Sequence, residues 1–294
     1  MKRRDFIQNS SLLAFSISAF GFTKWNGEKY VGDTPTTSDI LGPFYRPNAP
    51  MRSDIVPTGS NGSALSLKGV VYKEDGKTPL KNALVEIWQC DENEYYDNTS
   101  DDYLFRGAVK TGNGGTYDFK TIVPVPYKAD PDDETSWRPA HIHMRVSSGA
   151  QQDLVTQLYI QGDKYNATDS SAAHPESATR VLEITKNKAN ENVLNFDVVL
   201  GKNLPLSDEA YKKIAGLYQT ERSKYEYIQS DDLLLLKRNG QISASLNYIG
   251  NNTFEGAFGR PKVKFEFLAS GEVQSTTSYP GRSTFVGTKF LKYF

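Results

Sequence analysis

An all-β fold is predicted by three features of the sequence. Its apolar stretches are short, they alternate with polar residues at the two-residue period of a strand, and Gly, Pro and Asn turns separate them. Helical periods are few, and the clearest one comes late in the chain. With 294 residues there is room for one or two domains plus a leader, and a hydrophobic share of 38% with 12% aromatics supplies a core. A net charge of −1 removes the electrostatic basis for a nucleic-acid or anionic-membrane partner. The expectation is a β-sandwich over residues 36–202, flanked by a leader and a small C-terminal β-module.

The leader, residues 1–26, carries Arg3 and Arg4 ahead of an apolar run at 12–22. That run is too short for a permanent membrane span and fits a signal peptide. Paired arginines followed by Phe6 resemble a twin-arginine signal, a route that exports folded proteins. The mature chain is therefore expected in the periplasm or at the cell surface, with no membrane span. A Sec signal or an uncleaved anchor is the alternative, since no Ala-x-Ala site follows. Cysteine scarcity is neutral for an exported protein.

Within the sandwich, the segment Trp137-Arg138-Pro139-Ala140-His141-Ile142-His143 holds two of only three histidines. Residues two apart on a strand share a face, so His141 and His143 converge, with Arg145 following them. Ile142, Met144 and Val146 point the other way, into a core, as in a half-buried strand. Paired imidazoles suggest a metal, although a solvated strand that happens to carry two histidines fits the spacing equally. The other donors narrow the choice. Cys90 is the lone cysteine, and His174 sits in a polar loop, so thiolate-rich zinc and iron–sulfur sites are excluded. A His/His/carboxylate site stays open. Two tyrosines stand in unusual settings: Tyr96, just past a strand ending at Glu86-Ile87-Trp88, and Tyr127, after the stiff Pro124-Val125-Pro126.

These residues resemble the intradiol ring-cleavage dioxygenases, which open catechols with non-haem Fe(III). The likeness rests on Tyr96 eight residues after Trp88, on Pro124-Val125-Pro126-Tyr127, and on Arg138-Pro139-Ala140-His141-Ile142-His143. Gly42-Pro43-Phe44-Tyr45 and Thr156-Gln157-Leu158-Tyr159 flank them in family order, and the match runs from about 38 to 200. The motifs are nearest those of the protocatechuate 3,4-dioxygenase branch. The resemblance implies an Fe(III) site of Tyr96, Tyr127, His141 and His143, with Tyr127 the axial ligand that leaves as substrate chelates. The eight-residue offset selects Tyr96 over Tyr95, and Tyr103 and Tyr117 match no ligand position. Phenolates are hard anions that a trivalent metal favours, and its charge lowers their pKa from about 10. Arg138 would stabilise negative charge on the substrate during oxygen attack. Gln157 would orient the ligands, and Tyr45 and Trp88 would line the substrate pocket or serve as aromatic core. The implied reaction takes a catechol-type substrate and O2 and opens the ring between the hydroxylated carbons, giving a cis,cis-muconate.

Departures bear on substrate. Ala129 replaces an aromatic residue common in the protocatechuate branch, and the His143–Gln157 spacing is one residue shorter. The helical dimerisation segment of the catechol 1,2-dioxygenase branch is missing, which leaves a homo-oligomer open. Residues 205–294 read differently: Ser207 caps a short helix, and Asn239-Gly240 and Ser270-Gly271 are hairpin turns, together suggesting a small β-barrel or sheet packed on the main domain. Two rivals compete with the dioxygenase. One is a non-catalytic transthyretin-like binding sandwich. The other is a His/His/carboxylate zinc hydrolase.

Overall fold

The computed structural model describes residues 35–290 apart from Arg222 and Ser283. It also gives the backbone of three short strands ahead of the sandwich, Ile17–Ser18, Gly21–Trp25 and Tyr30–Gly32, which pair in sequence order. The rest of the leader, where the export signal is expected, lies outside the described residues. No helix among the described residues is long and apolar enough to cross a membrane.

Two sheets form the sandwich. One is five-stranded, in the order Val181–Leu182, Leu154–Ile160, His141–Ser147, Leu84–Trp88, Arg106–Lys110. The other is built on Ala64–Tyr72, paired with Thr116–Ile122 and Asn192–Asn195. Strand alternation sends Ile142, Met144 and Val146 into the core between the sheets, beside Leu67, Val85, Phe119 and Leu158. Burying each such side chain contributes roughly 1.5–3 kcal/mol.

The histidine strand departs from the half-buried expectation: all seven of its residues are buried. Its second face is covered by the chain that opens the domain and by a hairpin of the C-terminal module. Asp39 N donates to Val155 O, Tyr45 meets Arg145, and Ser230 and Asp231 reach Arg145 from the module. Long-range cover of this kind leaves no trace in local periodicity.

The module is a closed barrel whose strands run from Gly216–Gln219 to Phe285–Lys289, the last pairing with the first. Ahead of it, helix Asp208–Ile214 is capped by Ser207, whose side chain accepts from Ala210 N at 3.2 Å. Acids in the first turn and lysines in the last complement the helix dipole. Asn239 and Gly240 both take positive φ, as a tight hairpin turn between Leu233–Arg238 and Gln241–Gly250 requires. The four-leucine run 233–236 is buried on both faces. Leu234 and Leu236 pack into the barrel with Tyr227, Phe254 and Phe265, whereas Leu233 and Leu235 join Tyr45, Trp88, Tyr96 and Tyr127 in the sandwich.

Asp153 sits at this junction. Its carbonyl accepts from Asn247 Nδ2 at 2.7 Å and its Oδ2 accepts from Arg145 at 3.1 Å, while Oδ1 is buried without a partner. Burial pushes its carboxyl up to about 7, against the pull of Arg145. Because the folded value exceeds the unfolded one of about 3.9, this group's stabilising contribution is complete below that pH and is lost as pH rises through about 7. The wild-type melting temperature is therefore expected to fall more between pH 5 and pH 8 than that of Asp153→Asn. Parallel pH profiles of the two proteins would remove this assignment.

Candidate metal centre

His141 and His143 lie on the central strand of the five-stranded sheet, with His143 opposite Trp88 on one side and Gln157 on the other. Their Nε2 atoms are 3.1 Å apart. Pro139 O lies 2.6 Å from His141 Nδ1, which places the proton there and leaves Nε2 as the lone-pair nitrogen facing its neighbour. Two nitrogens held about 2.0–2.1 Å from one cation at near right angles are separated by about 3 Å, so the spacing suits a shared ion. His143 stacks face to face on Trp88, centroids 4.9 Å apart and planes 5° from parallel. Gly42 lies close to the same ring: at φ +75°, an added Cβ would lie 3.1 Å from His143 Cε1.

Two tyrosines complete the cluster. Asp91 Oδ1 accepts from Asn93 N at 2.8 Å and Tyr95 N at 2.9 Å, closing a turn that sends Tyr95 outward, 59% exposed, and Tyr96 inward, 3% exposed. The eight-residue offset thus selects the inward ring. Tyr127 opens the two-residue strand Tyr127–Lys128, paired with Trp137–Arg138 so that Tyr127 faces Arg138. The Tyr96 and Tyr127 centroids are 5.2 Å apart, Tyr127–His141 is 5.5 Å and Tyr96–His143 is 6.1 Å. Tyr103 and Tyr117 are engaged elsewhere, donating to the carbonyls of Pro47 and Phe196. His174 caps the short 3-10 helix Pro175–Arg180 and its ring meets Phe258 of the barrel.

Electrostatically, the four side chains are poor ions by themselves. Burial holds the Tyr96 phenol well above its usual range, with Tyr127 adding to it, and burial also raises Tyr127. Burial, reinforced by Arg138, holds His141 down at about 3, and burial and the neighbouring His141 hold His143 well below its usual value. Tyr96 Oη is buried without a hydrogen-bond partner. Neutral imidazoles and an orphaned phenol around one point suit a cation, whose charge reverses the penalty on phenolate. Among the described residues, no three His, Cys, Asp or Glu side chains are grouped to hold a metal, so the His/His/carboxylate alternative lacks its acid. Cys90 is buried beside Tyr96, its thiol 3.7 Å from Val125 O and pushed up to about 12 by burial.

Residues 40–202 match the family described as Dioxygenase. Chlorocatechol 1,2-dioxygenase of Rhodococcus opacus is 32% identical over 208 residues, 64% of this chain and 80% of that protein. The 6-chlorohydroxyquinol 1,2-dioxygenase of Cupriavidus pinatubonensis is 32% identical over 219 residues, 69% of this chain and 76% of that protein. The crystal structure of 3-chlorocatechol 1,2-dioxygenase from Rhodococcus opacus 1CP superposes with a TM-score of 0.51 at 29% identity, covering 57% of this chain and 73% of that one. The chain belongs to the intradiol ring-cleavage dioxygenases. These relatives are named for catechol-type and hydroxyquinol-type rings, while the motifs had pointed nearest the protocatechuate branch. The barrel lies beyond the matched residues of this dioxygenase.

Arg138 of the enzyme is no surface ion pair. Its Nε donates to Asp169 Oδ2 at 2.6 Å and its Nη2 to Gln157 Oε1 at 2.9 Å. Gln157 Nε2 donates to Ile40 O at 2.6 Å, and the Tyr159 hydroxyl lies within 3.0 Å of both Gln157 Oε1 and Asp39 Oδ2. The fully buried ion pair of Asp39 with Arg180, 2.5 Å, ends the row. Trp88 is buried against His143, whereas the Tyr45 hydroxyl is taken by Arg145 at 2.8 Å and its ring leans on Trp88.

Three residues of this dioxygenase escaped sequence reasoning. Phe44 stacks on Tyr96 at 4.3 Å and meets Tyr127 edge-on. Buried Arg106 donates to Phe44 O and Asp97 O, tying the opening loop to the loop that carries Tyr96. Asp169, in a polar loop, fixes Arg138 while its Oδ1 accepts from Ser171 N and Ala172 N. Only Phe44 carried a signal, lying inside Gly42-Pro43-Phe44-Tyr45. Asp169→Ala is expected to lower kcat about tenfold or more with the metal content unchanged, since Arg138 loses its aim. Unchanged kcat in that variant would make Asp169 a loop residue only.

Proposed function

We propose that this dioxygenase holds a ferric ion through Tyr96, Tyr127, His141 and His143 and opens a catechol-type ring with O2 between its two hydroxylated carbons. The observation that carries this reading is the convergence of two neutral imidazoles and two buried phenols, one of them without any hydrogen-bond partner. Iron, held there, would supply a Lewis acid that the two catechol oxygens chelate and that makes the ring reactive to O2. The protein's own residues do the rest. His141 is fixed in one tautomer by Pro139 O. Tyr127, next to Arg138 in the short ladder, would be the group placed to take up a catechol proton at its Oη as substrate binds. Arg138, aimed by Asp169 and Gln157, is a preorganised cation for charge that grows on the substrate during oxygen attack. Leu41, Trp88, Tyr96 and Val155 make the surroundings apolar, which excludes competing water.

The chemistry of the relatives supports a catechol, chlorocatechol or hydroxyquinol as substrate class. Purified protein is expected to contain stoichiometric iron and a phenolate-to-iron absorption that shifts when a catechol is added anaerobically. Tyr96→Phe should lose the iron or change that band, whereas Tyr95→Phe, whose ring is exposed, should match wild type. Tyr127→Phe should keep the metal and lose turnover; full turnover would refute its role. Colourless protein, or protein loaded with zinc, would overturn the ferric reading.

We also propose that the enzyme is exported, on the strength of Arg3 and Arg4 before the apolar run 12–22. A reporter fused after Asn26 should leave the cytoplasm and be retained there by Arg3→Lys/Arg4→Lys. Export indifferent to that change would remove the twin-arginine assignment.

A further inference from the structure

We propose that the C-terminal barrel is a positioning element for His143, acting through Arg145. The inference rests on the metal-site reading above and goes beyond it, because the barrel lies outside the family match. The two histidines are held differently. His141 has its Nδ1 anchored on Pro139 O, but His143 Nδ1 is buried without a partner. A metal-binding histidine ordinarily has its second nitrogen hydrogen-bonded, which sets the ring plane. For His143 the ring plane is set by stacking instead, on Trp88 at 4.9 Å and 5°.

Trp88 is in turn backed by Tyr45, centroids 5.1 Å apart, and the Tyr45 hydroxyl accepts from Arg145 Nη1 at 2.8 Å. Arg145 is where the barrel enters. The turn between barrel strands Lys224–Ser230 and Leu233–Arg238 projects Ser230 and Asp231 onto its guanidinium. Nη1 donates to Ser230 Oγ at 3.0 Å, and Nη2 donates to Ser230 O at 3.1 Å and Asp231 Oδ2 at 2.7 Å. Asp231 takes φ +53°, a left-handed conformation that a short polar side chain tolerates and that aims this turn. On the sandwich side, Asp153 accepts from the same Nη2 and Glu86 lies 3.8 Å from Nη1. Leu233 and Leu235 then seal the apolar cluster that contains Tyr45 and Trp88. The path from barrel to His143 is thus a series of direct contacts: Asp231 and Ser230, Arg145, Tyr45, Trp88, His143.

The Asp231 side chain is 61% exposed, so its truncation tests the path without opening a core. Two readouts apply to the full chain. The first is the rate at which iron passes to a chelator, expected to rise about threefold or more in Asp231→Ala. The second is the histidine ring NMR spectrum of the metal-free chain, which holds three imidazoles, His143 among them under the ring current of Trp88. In Asp231→Ala the His143 signal should move toward that of an unstacked ring, and Asp231→Asn, which keeps an acceptor oxygen, should restore it. A wild-type chain that never binds iron would refute the metal reading, and the His143 signal would then decide the positioning role by itself. A His143 signal unchanged in Asp231→Ala, with equal rates of iron loss where iron binds, would overturn the inference.

Discussion

Strand register is the constraint on which the rest of the site depends. The antiparallel pairing sets His143 between Trp88 and Gln157, and His141 opposite Tyr159. That alignment gives one histidine a stacking surface and delivers Gln157 to Arg138. A slip of one residue would exchange the faces, sending His141 and His143 into the core and Ile142 and Met144 into the site. The burial of Ile142, Met144 and Val146 makes such a slip expensive, so hydrophobic patterning on one face holds the chemistry on the other.

Burial also dictates the polar architecture around the centre. Charges withdrawn from water need partners, and here each cation near the site has them: Arg138 with Asp169, Arg180 with Asp39, Arg145 with Asp153 and Asp231. Arg106 is the exception in kind, satisfied by Phe44 O, Asp97 O and Asn98 Oδ1 instead of a carboxylate, and burial brings its pKa down to about 10. The four proposed ligands are neutral in this setting, and the surrounding cations favour phenolate over phenol once a metal repays the desolvation. The same network ties the loop that carries Tyr96 to the sheet, through the buried bond from Arg106 Nε to Asp97 O.

Much of this was legible in the sequence, for local reasons. Alternation, turn residues and proline placement are encoded within a few positions, so the all-β class, the helix capped by Ser207 and the Asn239-Gly240 hairpin could be read directly. The proposed donors Tyr96, Tyr127, His141 and His143 could be singled out through their resemblance to the family's motifs, which spacing alone would not have done. Contacts made over long sequence separations were not. Asp169 meets Arg138 from 31 residues away, and Asp231 meets Arg145 from 86, with nothing local to mark either. The full burial of the histidine strand was missed for the same cause. A leucine run such as 233–236 announces a strand covered on both faces, but not which surface covers it.

The single thiol of the chain is placed where reactive oxygen chemistry is proposed, and its surroundings disarm it. Cys90 is 1% exposed, its sulfur faces the Val125 carbonyl, and burial keeps it protonated far above neutral pH. Thiolate is the nucleophile in alkylation and the form most open to oxidation, so the native fold withholds both routes. Labelling of Cys90 by an alkylating reagent therefore counts excursions in which the wall around Tyr96 and Trp88 opens, which makes the protein's lone cysteine an internal clock for breathing of its own active site.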